Sequence, residues 1–161
     1  MEPTREELLR LVSELNSETE ELRRRLDESD WMGGALKQRT RVLNERIKEL
    51  HCAYELVRLI RSPASLEAKI DAALALLPPA WQHAEFAGAR IELDGVERRT
   101  HGFTASAWRM SEPIRSEHAV VGSVEISYSR AFPASDEGPF LKEERALLKI
   151  VAEALGAMRR C

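Results

Sequence analysis

The sequence predicts an α+β fold: a long N-terminal coiled-coil helix followed by an antiparallel sheet with helices on one face. Three observations carry this. Apolar residues recur at alternating steps of four and three from Leu8 to Val57. An Asp94-Gly95 pair separates two alternating runs, a strong hairpin signal. A helical apolar stripe, Phe140, Leu147, Leu148, Val151, Leu155 and Met158, closes the chain.

The N-terminal helix comes first. A repeat averaging 3.5 residues marks helices wound round each other rather than a lone helix on a globular core. With Leu8, Leu15, Leu22, Leu36, Leu43, Leu50 and Val57 at d, the a positions are Val12, Thr19, Leu26, Gly33, Thr40, Ile47 and Tyr54. One register holds throughout. The expected dimer seam is therefore Leu8, Val12, Leu15, Leu22, Leu26, Leu36, Leu43, Ile47, Leu50, Tyr54 and Val57. The weak point lies at 29–34, where d is Ser29 and a is Gly33, and each interior glycine costs about 1 kcal/mol against alanine. The helix is expected either to soften there or to break. In a parallel pair, g of one chain faces e of the next heptad on the other, so Glu18 meets Arg23 and Arg25 meets Asp30. Both pairs attract, which favours a parallel homodimer over a hairpin folded back at Gly33-Gly34. Trp31, beside the glycines, is a candidate partner contact, packing at a helix break being the alternative. Arg23-Arg24-Arg25 is diluted by acidic neighbours and reads as a solvated face, not a nucleic-acid helix.

The predicted division is 1–58 for the coiled coil and 59–161 for the α+β module. Arg61-Ser-Pro-Ala marks a stop and restart: Ser62 is expected to cap the next helix with Pro63 at its first position. Leu66, Ile70, Leu74 and Leu77 share one face, and Pro78-Pro79 is expected to end the helix. Strands follow at 89–93 and 96–100. A third is expected at Pro113-Ile114-Arg115, and the clearest after the first runs over 120–128 with Val124, Ile126 and Tyr128 on one face. Gly122 marks a bulge or a close backbone approach. The last helix opens near Pro139.

The bulk numbers exclude several classes. Net charge is −3 with 32% charged residues, so no global field attracts nucleic acid or anionic membrane. No apolar run approaches the ~20 residues of a membrane span. The acidic N-terminus is unlike a secretory leader. These features predict a cytoplasmic protein without membrane insertion. Cys52 and Cys161 have no metal-type spacing and are expected as free thiols. Cys52 stands at f, away from the seam, and is expected to pack toward the module, exposure being the alternative. His51, His83, His101 and His118 show no zinc spacing, and Ser106 and Ser111 near His101 lack any sign of an oxyanion site. No catalytic residue, cofactor or metal is expected. Trp81, His83, Phe103 and Trp108, rimmed by Arg98 and Arg99, form a candidate cleft, the alternative being an apolar cluster under the loops.

Three blocks in succession carry a resemblance: Ala89-Arg-Ile-Glu-Leu-Asp-Gly95, Val121-Gly-Ser-Val-Glu-Ile-Ser-Tyr128 and Glu137-Gly-Pro-Phe-Leu-Lys-Glu-Glu-Arg-Ala-Leu-Leu148. Together with 43–54 they make residues 40 to 160 resemble the small GAF domains of bacterial sensor histidine kinases. The resemblance implies a six-stranded antiparallel sheet, dimerisation through terminal helices and, in some members, a bound small molecule. The short stretch from His101 to Pro113 argues against a large enclosed ligand pocket, and the absence of cysteine over 53–160 leaves a thioether-linked bilin no attachment point. If Cys161 is the natural end, the resemblance implies a signalling adaptor acting through a partner protein. The two Cys161 residues of a dimer would then lie near each other. The enzymatic alternative, a stand-alone free methionine sulfoxide reductase, needs cysteines within the module.

Overall fold

The computed structural model describes residues 5–160. By contacts it comprises two compact units, Met1–Leu43 and Asn44–Cys161. The first helix, α1, spans Arg5–Arg61 and enters both.

Among the described residues of the first unit, 5–43, the structure is helix alone. The helix runs unbroken through Gly33 and Gly34, whose added Cβ atoms would meet nothing within 4 Å. The hairpin alternative at this pair is thus ruled out, and the glycines are a local weakness rather than a turn. Ion pairs along the exposed faces, Arg10–Glu14, Arg24–Glu21 and Arg25–Glu21 among them, add a few tenths of a kcal/mol each to such a helix.

The second unit is α+β. After the end of α1 come α2 (Leu66–Ala80), a short 3₁₀ turn at Ala84–Phe86, and the strands β1 (Ala87–Leu93), β2 (Val96–Arg99), β3 (Arg109–Ser116) and β4 (Ala119–Tyr128). The chain closes with α3 (Lys142–Arg160). The sheet is antiparallel with order β2-β1-β4-β3. Among the described residues it has four strands, two fewer than the GAF resemblance implies. Asp94 and Gly95 both have positive φ, 51° and 81°, as a two-residue hairpin turn between right-twisted strands requires.

Strand alternation sorts the sheet into two faces. Ala89, Ile91, Leu93, Met110, Ile114, Val124, Ile126 and Tyr128 point inward and are buried with α2 and α3 in one core. Every residue of the predicted α3 stripe joins that core. The opposite face carries Arg90, Glu92, Glu125 and Ser127. Residues 101–108 lie across it: Ser127 Oγ donates to the Thr104 carbonyl at 2.7 Å, and Ser106 Oγ to the Tyr128 carbonyl at 2.8 Å.

Four expected boundaries move. The α2 cap is Ser65, not Ser62; its hydroxyl accepts the Ala68 N–H at 3.3 Å from an extended backbone, while Ser62 Oγ instead accepts the Ala64 N–H. Pro78 and Pro79 do not end α2 but lie in its last turn, which closes with the Trp81 N–H donating to the Pro78 carbonyl at 3.2 Å; the cost is that neither proline can donate to the carbonyl four residues before it. Strand β3 starts four residues before Pro113, which is tolerated because β3 is an edge strand. Helix α3 begins at Lys142 rather than near Pro139, since a Glu137–Phe140 bridge occupies the chain before it. Gly122 is a close approach: a Cβ there would sit 1.9 Å from the Glu92 carbonyl oxygen.

Candidate functional site

Helix α1 presents two different faces. In the first unit Leu8, Val12, Leu15, Leu22, Leu26, Leu36 and Leu43 are all exposed. In the second unit Ile47, Leu50, Tyr54 and Val57 are exposed too, Leu50 at 70%. In the same segment Cys52 and Leu56, at f and c, are each 1% exposed and belong to the module core, with Leu59 packed against it. The module therefore uses the c/f side of α1 and leaves the a/d side open. A large exposed apolar stripe on a helix that already has a buried side is unusual for a monomer.

The charges beside the stripe are arranged accordingly. Glu18, Arg23 and Asp30 form no ion pair among the described residues, whereas Arg25 reaches Glu21 in its own helix at 2.9 Å. Trp31 is exposed on the same helix. Leu9 and Leu11, at e and g, are exposed at 62% and 51%. An a/d count overlooks them; apolar residues at e and g in one heptad are the signal that finds them.

Cys52 lines a cavity of about 270 Å³ between α1 and α2 with Ile47, Lys48, His51, Ala75, Leu76, Pro79 and Ala80. Burial pushes its thiol up to about 11, so its nucleophilic form is scarce near neutrality. Cys161 lies outside the described residues, and so does its expected proximity to a second copy.

The buried polar centre of the module is Glu144, a residue that sequence reading missed. It is the third residue of α3, and its Oε2 accepts the Leu141 N–H at 2.9 Å, half of a capping box. Asp136 supplies the other anchor by accepting the Lys142 N–H at 3.0 Å. Glu144 Oε1 accepts the Gln82 N–H at 2.7 Å, just past α2, and faces the Tyr128 hydroxyl at 3.4 Å. Burial raises the Glu144 carboxyl, with the nearby Glu45 adding to the rise, while the N–H donors partly offset it. The Tyr128 phenol is raised by burial and then by the Glu144 charge. This arrangement joins α2, β4 and α3. Among the described residues no group of three or more His, Cys, Asp and Glu is placed to hold a metal ion.

The candidate cleft residues are spread over both faces of the sheet. Trp81 is fully buried in the core, its indole N–H without a partner. His83 stacks on Phe132 at 3.7 Å and meets Tyr128 edge-on. Arg98, on the helix side, reaches Asp71 and Glu67 of α2 at 3.2 and 3.3 Å. Arg99 and Phe103 lie on the opposite side, where Arg90 sits 5.7 Å over the Phe103 ring. Trp108 is partly exposed before β3, its carbonyl accepting the Tyr128 N–H. His83 and Tyr128 are brought together; Trp81, Phe103 and Trp108 are not, and none of the cavity lining just described includes them.

Among the described residues no helix is long and apolar enough to cross a membrane. The chain matches no protein-family model, no curated protein and no solved structure.

Proposed function

We propose that this protein is a non-catalytic, cytoplasmic signalling adaptor, a parallel homodimer in which α1 supplies the dimer seam and the α+β module senses a small ligand or docks a protein. The observation that carries this is the division of labour on α1: residues at c and f belong to the module core, and residues at a and d are exposed. The GAF-like character of the module is supported by its antiparallel sheet with α2 and α3 sharing one core, on a sheet two strands narrower than such domains carry. Docking suits it better than enclosure, because residues 101–108 occupy the sheet face away from the helices.

Light scattering on the full chain at micromolar concentration tests the assembly. The expected mass is twice 18.2 kDa. Leu22→Pro, which breaks the helix at a cost of about 3 kcal/mol, should halve it while leaving the module folded. A monomeric native chain would end the dimer reading.

A further inference from the structure

The start of α1 has more apolar surface than a two-stranded seam uses. Leu8, Val12 and Leu15 occupy d, a and d. Leu9 and Leu11 stand at e and g, the flanks that a parallel dimer leaves partly open. The widened stripe stops after two turns, since the next e and g residues are Asn16, Glu18, Arg23 and Arg25. A trimer or tetramer that buried e and g along the helix would therefore meet charge beyond Leu15.

The rim of this stripe is acidic. Glu7 and Glu14 stand at i−4 and i+3 from Leu11, and Glu6 at i−3 from Leu9, the positions that neighbour them on a helix surface. Across residues 5–21 six glutamates face two arginines; Arg10 is tied to Glu14 at 3.0 Å, and Glu21 is tied to Arg24 and Arg25 beyond the stripe. Two chains side by side double that field.

Building on the dimer reading, we propose that the stripe around Leu9 and Leu11 docks a short amphipathic helix of a partner protein, apolar on one side and flanked by lysine or arginine. Apolar anchors at helical spacing would enter the groove that the two e and g leucines widen, and basic flanks would meet the glutamate rim. A second copy offers the same acidic rim, so like charge would face like charge. An anionic bilayer is repelled for the same reason.

The test uses the full chain and two synthetic helical peptides with one leucine pattern, one flanked by lysines and one by glutamates. Fluorescence anisotropy should show the Leu/Lys peptide binding and the Leu/Glu peptide at least tenfold weaker. Leu9→Glu with Leu11→Glu, which spares every a and d residue, should weaken the Leu/Lys peptide at least tenfold while the scattering mass stays that of a dimer. Raising salt should weaken binding. Equal binding of both peptides, or unchanged binding by the double variant, overturns the proposal and leaves the dimer standing. A native tetramer that the double variant reduces to a dimer also overturns it, because a second copy is then the occupant. A monomeric native chain removes both the docking site and the dimer beneath it.

Discussion

A methyl group on Gly88 would stand 2.4 Å from the Cα of Phe103. The loop after β2 therefore lies against the backbone of β1 with no room for a side chain between them. Gly88→Ala must push that loop off the sheet. The expected cost is about 1–3 kcal/mol, as for overpacking elsewhere, seen as a lower urea midpoint. Faster proteolysis within 101–108 should accompany it. An unchanged midpoint would show that the loop is not held against the sheet.

Gly33 and Gly34 give the opposite result. Their surroundings are empty, so Gly33→Ala and Gly34→Ala gain helix propensity without a clash, about 1 kcal/mol each. Circular dichroism should report a higher melting temperature for the helix, and the double variant should exceed either single one. A loss of helicity would mean that a bend at this pair is needed.

Glu144 sets a pH dependence of definite sign. Its folded carboxyl is raised above the ordinary range, chiefly by burial, so the folded state favours the protonated form. The stability this contributes is present below the unfolded carboxylate range and is lost as pH rises through the folded value. Glu144→Gln removes that term. Subtracting the two stability profiles, measured by denaturant titration between pH 4 and 8, should show the glutamine variant gaining on the native protein as pH rises. The slope is the readout, since the variant also replaces one of two N–H acceptors and so shifts the whole curve. A flat difference would place the carboxyl in water.

Cys52 should be nearly inert. With its thiol pushed up to about 11, roughly one molecule in a thousand carries the thiolate at pH 8. In a Cys161→Ala background, labelling by a thiol reagent should be slow in the folded protein and fast in denaturant. The same chemistry predicts no turnover of free methionine sulfoxide by the native chain. Rapid native labelling would contradict the burial.

What could be read from the sequence was whatever repeats or turns locally. The Asp94-Gly95 hairpin, the Val124–Ile126–Tyr128 face and the α3 stripe each follow from spacing within one element. The loop across the sheet did not, because its anchors, Ser127 to Thr104 and Gly88 under Phe103, join residues whose contact depends on the finished sheet. The cleft was misleading for a related reason. Trp81 and Phe103 both lie outside the strands, but Trp81 caps α2 and enters the core while Phe103 lies with the loop on the opposite face of the sheet. Glu144 was hidden because its capping partner, Leu141, has no polar side chain, so no familiar Ser-x-x-Glu pattern announced it. Cys52 at f could be read as packing toward the module or as exposed, and its burial with Leu56 shows that this side is the core.

That last pair has a mechanical consequence. A straight α-helix drifts by ~20° per heptad from a strict seven-residue repeat, and two helices remove the drift by winding round each other. Over residues 44–57 the helix backbone is shared between the exposed a and d residues Ile47, Leu50, Tyr54 and Val57, the proposed outer seam, and an inner contact at Cys52 and Leu56. Turning it by ~20° displaces each Cα by about 0.8 Å along its circumference, and a close-packed interior registers shifts of that size. In the proposed dimer, winding on the outside and packing on the inside would thus be geared to one shaft, and a load on either would be felt by the other.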